Sequence, residues 1–233
     1  MTDLSTRISQ VHQALSAAEV AADRSGKVQL LAVSKTRPIA DIAEAYQLDL
    51  RAFGENYVQE GVDKVIHFRE QEDVSDIIWH FIGPIQSNKS RLVAEHFDWV
   101  HTIDRLKIAQ RLNEQRPEIL KPLNVLIQIN ISEQASKSGI SLSELPEIAE
   151  KIEAMPNLSL RGLMCIPAPA NDEKETQRLT REFDAMQSAF RDLQAVYQQV
   201  DTLSMGMSGD MALAINHGST MVRIGTAIFG PRT

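Results

Sequence analysis

Short apolar runs and amphipathic stretches alternate along the whole of this 233-residue chain. Leu4, Ile8, Val11 and Leu15 recur at helical spacing, with Asp3, Arg7 and Glu19 between and around them, which predicts an amphipathic helix within residues 1–25. Eight runs then read as strands: VQLLAVS (28–34), RAFGEN (51–56), IIWHFIG (77–83), DWVHTI (98–103), NVLIQIN (124–130), LSLRGLMCI (158–166), DTLSMG (201–206) and MVRIG (221–225). Helical periodicity fills the gaps between them. Val58, Val62 and Val65 mark one helix, and Leu179, Phe183, Met186, Phe190, Leu193 and Tyr197 mark another. Ser141 with Glu144 forms a capping box that opens a helix carrying Leu145, Ile148 and Ile152. The segment PAPANDEKETQ (167–177) has loop composition and leads into the next helix.

Strict alternation of strand and helix indicates parallel βαβ units, and eight of them suggest closure. The expected fold is a single α/β domain over residues 1–233. It is a (β/α)8 TIM-type barrel with the extra N-terminal helix packed on it. In such a barrel the C-terminal ends of the strands converge on one face, and closure sets the eighth strand beside the first. Lys35, just past the first strand, and the glycine-rich ends of strands seven and eight thereby become neighbours.

Composition narrows the ligand. The formal charge is −7 and no basic cluster occurs, which argues against a nucleic acid or an anionic membrane surface as partner. No stretch approaches the roughly 20 apolar residues of a membrane span, and the N-terminus lacks a secretory pattern. A single cysteine, Cys165, within GLMCIP, gives no disulfide framework and reads as a buried small apolar residue. Together these predict a cytoplasmic protein that handles small molecules.

A lysine at the mouth of a barrel can act as an amine nucleophile, because desolvation raises the neutral fraction that attacks a carbonyl. In SMGMSGD, Gly206 and Gly209 allow close backbone approach while Ser204 and Ser208 offer hydroxyls, and Gly225 with Thr226 ends the next strand. That is where barrels hold phosphate. An aldehyde carrying a phosphate would use both features, and pyridoxal 5′-phosphate (PLP) is the evident candidate, although barrel aldolases exploit lysine in the same way. Arg223 interrupts an apolar strand, where it serves either an internal ion pair or the pyridine nitrogen of such a cofactor. His80 is a base or a packing residue, while Asn56, Tyr57, Gln128 and Asn130 suit a polar lining of the mouth. Lys89 and Lys137 add amines to the rim for phosphate steering or secondary contacts, and Asp210 suits a helix N-terminus. No catalytic triad or metal-binding spacing is evident, so no catalytic residue and no metal is expected.

The segments AVSKTRP, FGENYVQE, WHFIGPIQSNK, SKSGI, RGLM, SMGMSGDM and GSTMVRIGTAIFG, in this order over essentially the whole length, closely resemble the pyridoxal phosphate homeostasis proteins of the YggS/PROSC type. The resemblance implies a barrel like the N-terminal domain of alanine racemase, the fold type III class, with PLP held on Lys35 as an internal aldimine. It matches Ser208, Gly225 and Thr226 to the phosphate loops, Arg223 to the arginine facing the pyridine ring, and Asn56 and His80 to mouth positions. It further implies a carrier or regulator of vitamin B6 pools, expected to be monomeric and to deliver PLP to apo-enzymes. Racemases of this fold take a second base from an added β domain for which this chain has no residues left over, so no turnover is expected. The alternative is an amino-acid racemase or lyase with Tyr57 or His80 as proton donor.

Overall fold

The computed structural model describes residues 3–74, 76–134 and 137–231, so the ends of the expected domain (1, 2, 232 and 233) and Ser136 of SKSGI lie outside it. Eight parallel strands close into a barrel in chain order: β1 (Gln29–Val33), β2 (Ala52–Glu55), β3 (Ile78–Phe81), β4 (Trp99–Ile103), β5 (Leu123–Ile129), β6 (Leu158–Cys165), β7 (Thr202–Ser204) and β8 (Met221–Ile224). Helix α1 (Leu4–Ala21) precedes the barrel, and α2 (Ile39–Gln47), α3 (Val58–Arg69), α4 (Ser90–His96), α5 (Leu106–Gln115), α6 (Leu145–Glu153), α7 (Glu173–Val196) and α8 (Met211–Asn216) connect successive strands. A single turn, α9 (Thr226–Phe229), follows β8. All eight predicted strands and the barrel class are thus present.

Side chains alternate across each strand. The outward set, including Phe53, Trp79, Phe81, Val125, Leu163 and Val222, joins the helix faces in one buried apolar cluster. Leu31, Ile82 and Met221 form a separate small cluster on the inner face. They share that lumen with polar groups. His80, His101, Ser204 and Arg223 are each 5 % exposed or less, in a space that barrels usually fill with branched apolar side chains.

The seam is set by parallel pairing of β1 with β8, Leu31 opposite Arg223 and Ala32 opposite Ile224. Helix α1 braces it from outside. Its predicted stripe of Leu4, Ile8, Val11 and Leu15 is buried, and it packs on α8 and α9. Arg7 Nε donates to the Ile228 carbonyl at 2.6 Å, and the carboxylate of buried Glu19 accepts from Val28 N at 2.7 Å, fixing the entry to β1.

Two local readings change. The segment 167–177 is loop only as far as Asp172, whose carboxylate caps α7 by accepting from Glu175 N at 2.7 Å, so 173–177 are helical. The Ser141–Glu144 capping box opens a 3-10 turn, Leu142–Glu144, that runs into α6. Within β6, Gly162 sits at φ +145° where a Cβ would lie 1.9 Å from the Thr202 carbonyl oxygen, and the β5–β6 register shifts beside it. Only glycine fits that bulge. No helix among the described residues is long and apolar enough to cross a membrane.

Candidate cofactor site

At the C-terminal end of the barrel, β1 stops at Val33, and Ser34 N extends the ladder by donating to the Gly54 carbonyl at 3.0 Å. The chain then turns at Thr36, with φ +62°, and presents Lys35. Across the seam, Gly225 approaches Val33 closely enough that a Cβ would lie 3.3 Å from Val33 Cβ, and Thr226 begins α9. After β7, the Asp210 carboxylate accepts from Met207 N at 2.6 Å and so closes the loop carrying Ser208 and Gly209. These segments enclose a cleft of about 340 Å3, lined on its polar side by Lys35, Arg37, Asn56, Ser208, Arg223 and Thr226. That volume suits a small cofactor.

The cleft is electropositive although the chain carries −7: among the described residues three basic ones line it and no acidic one does. Arg37, in the loop after Lys35, donates to the carbonyls of Gly230 and Pro231 and so ties the first strand's end to the last helix. Among the described residues Arg223 makes no ion pair at contact distance, Asp210 acting on it only from further off, which removes a direct internal ion pair as its explanation. Instead its guanidinium donates to the Ser204 carbonyl at 2.8 Å, the Ser204 hydroxyl at 2.7 Å and the Cys165 carbonyl at 2.8 Å. These three bonds fix the fork and leave two of its five N–H donors. Asn56 Oδ1 is buried at the cleft wall with no hydrogen-bond partner among the described residues, an unmet need that a ligand would fill. A second lobe of about 220 Å3 shares Asn56, Ile82 and Ile166 with the first and adds Gln128, Asn130 and Lys137. A larger groove of about 810 Å3 between α6 and α7 carries Glu150 and Asp192 but no basic residue, so it is no place for a phosphate.

The structure brings Lys35, Asn56, Ser208, Arg223, Gly225 and Thr226 together and keeps two predicted contacts away. His80 and Ser204 are not in the cleft wall; both lie in the lumen beneath it, at 2 % and 0 % exposure. The correction is one of depth, since strand parity puts them on the inner face but below the mouth. There they form a polar chain: Arg223 donates to Ser204 Oγ at 2.7 Å, Ser204 Oγ lies 3.2 Å from His101 Nδ1, and His101 Nε2 lies 2.9 Å from His80 Nδ1. Burial favours the neutral form of both rings. Burial holds His80 down to about 3 and His101 well below the ordinary histidine range. His101 was signalled by a histidine in two consecutive apolar strands, IIWHFIG and DWVHTI.

Tyr57 is 53 % exposed and, like Lys89, is absent from the walls of both lobes. Lys137 lines the second lobe and donates to the Ile166 carbonyl at 3.0 Å, with burial lowering its affinity for the proton. Cys165 is fully buried, and burial pushes its thiol up to about 12, which excludes it as a nucleophile.

Similarity to known proteins agrees with this geometry. Residues 12–233 match the family model described as alanine racemase, N-terminal domain. The pyridoxal phosphate homeostasis protein of Vibrio alginolyticus is 65% identical, covering 88% of this chain and 87% of its own. That of Escherichia coli K12 is 58% identical over 100% of this chain and 98% of its own. The structure of PipY from Synechococcus elongatus PCC7942 with PLP bound superposes with a TM-score of 0.81 at 33% identity, covering 98% of this chain and 100% of that one. Barrel, cleft and sequence thus agree that this chain belongs to the pyridoxal phosphate homeostasis proteins, within the family of the alanine racemase N-terminal domain.

Proposed function

We propose that this protein binds PLP in the cleft between β1 and β8, holds it on Lys35 as a Schiff base, and takes part in intracellular PLP homeostasis or delivery without catalytic turnover. The observation that carries this is the meeting of an amine, Lys35, with a fixed guanidinium and the Ser208, Gly225 and Thr226 segments in one electropositive cleft. The Lys35 amine would condense with the cofactor's aldehyde, forming a C=N bond and releasing one water. Ser208, Thr226 and the backbone at Gly209 and Gly225 would hold the phosphate, and Asn56 would meet the ring through its unpaired amide oxygen or, with the amide turned, its NH2. Arg223, kept charged by its high intrinsic basicity, would donate to the pyridine nitrogen and leave it unprotonated, which weakens the ring as an electron sink.

The absence of turnover is supported from two sides. The relatives are named for homeostasis, as above. In addition, among the described residues no aspartate, glutamate, histidine, tyrosine or cysteine lines the Lys35 lobe, so neither Tyr57 nor His80 stands where a racemase needs its second base. On this reading the protein acts in the cytoplasm as a single-domain monomer. Recipients would be PLP-dependent apo-enzymes. The purified protein mixed with PLP should show the visible band of a lysine imine, and borohydride followed by peptide mapping should label Lys35. Lys35→Ala should lose both. Label on another lysine, or sustained exchange of an amino acid's α-proton into deuterated solvent, would overturn the reading.

A further inference from the structure

Behind the barrel wall, on the side of β1 and β2 away from the cleft, lies a buried charged cluster that the cofactor would not touch. Lys64 of α3, 5 % exposed, meets the Glu55 carboxylate, 0 % exposed, at 2.9 Å and the Glu60 carboxylate at 2.6 Å. Removing such charges from water offsets most of what they gain by pairing, so stability alone is a poor reason for them. One carboxylate oxygen, Glu55 Oε2, is even left without a hydrogen-bond partner among the described residues.

What the cluster grips is the main chain on both sides of Lys35. Lys64 Nζ donates to the Ser34 carbonyl at 2.9 Å, and the Ser34 hydroxyl donates to Glu55 Oε1 at 2.5 Å. On the other side, Thr36 N donates to Glu60 Oε1 at 2.6 Å. Thr36 stands at φ +62°, a left-handed conformation that a β-branched residue adopts only when its surroundings impose it. The residue before Lys35 is therefore held at its carbonyl and hydroxyl, and the residue after it at its amide.

We propose that Lys64, with Glu55 and Glu60, is a positioning clamp that sets the 34–36 turn so that the Lys35 amine meets the cofactor's carbonyl. The inference rests on Lys35 being the Schiff-base lysine. The clamp aims the amine while Glu55, Glu60 and Lys64 themselves lie outside the cleft wall, so it governs covalent capture separately from non-covalent binding.

The test uses the full chain in three forms: wild type, Glu60→Ala, and the double variant Lys64→Met with Glu55→Gln, which leaves no lone buried charge. Two ligands are compared, PLP and pyridoxine 5′-phosphate, which has the same ring and phosphate but an alcohol in place of the aldehyde. Both variants should form the imine band about tenfold more slowly or worse. Their affinity for pyridoxine 5′-phosphate and their melting temperature without ligand should stay close to wild type in at least Glu60→Ala, which is part-exposed. Equal loss for both ligands in Glu60→Ala would show a merely structural role and overturn the clamp, as would unchanged capture rates in both variants. Borohydride mapping of the wild type separates the two readings. Label on Lys35 with unaltered capture sinks only the clamp, whereas label elsewhere sinks the clamp and the Lys35 assignment together.

Discussion

Two neutral imidazoles inside a barrel make stability depend on pH. His80 is held near 3 against an ordinary value of 6.5, with burial as the cause, and His101 is depressed in the same direction by burial, His80 and Arg223. Below 6.5 the unfolded chain takes up protons that the folded chain refuses, so stability is full above that pH and falls as pH drops towards the folded values. The slope is at most about 1.4 kcal/mol per pH unit for each ring. Urea unfolding between about pH 4 and 6 should therefore show a steeper loss in the wild type than in a His80→Gln, His101→Gln double variant. Parallel slopes would mean that these rings are protonated in the native state. Placement in the cleft was legible in the sequence where type and position spoke together, as with Lys35 after an apolar run and Arg223 inside one. It was not legible for His80 and Ser204, because alternation reveals which face a strand residue occupies but not its height along the barrel axis.

Height is decided by how elements meet, and one contact near the cleft shows this. Gly83, after β3, presses so closely on the end of β2 that a Cβ there would lie 2.0 Å from the Asn56 carbonyl oxygen. The neighbour is backbone and cannot swing aside, so Gly83→Ala must push the two strand ends apart. A destabilisation of about 1–3 kcal/mol is expected by chemical denaturation, with weaker retention of PLP because Asn56 moves with its strand. Unchanged binding with lowered stability would place Asn56 outside the cofactor's contacts. The strands themselves were readable as apolar runs bounded by polar segments, as was the long stripe of α7. The start of α7 was not, because Glu173, Lys174 and Glu175 look like solvated loop until Asp172 is seen to cap them.

For the molecule as a whole, the helix outside the barrel matters as much as the ring. Helix α1 packs on α8 and α9, the turns that follow the proposed phosphate segments, and Ile8 on its buried stripe is 4 % exposed. Ile8→Ala should cost about 2–4 kcal/mol, read by urea unfolding. It should also weaken PLP more than pyridoxal, which lacks the phosphate, because the shift is felt at Thr226 and Ser208. Equal weakening of both would show that α1 supports the ring alone. The circular order of the strands was foreseeable from eight βα units, since an open sheet would have left β1 and β8 as distant edges. Their pairing, Leu31 opposite Arg223, also dictates timing during synthesis. A ribosome that has released the lysine-bearing turn has made only half of the proposed cradle, and on that proposal a nascent chain would keep its vitamin only after the stave bearing Arg223 and the Thr226 turn had emerged and slotted in beside the first.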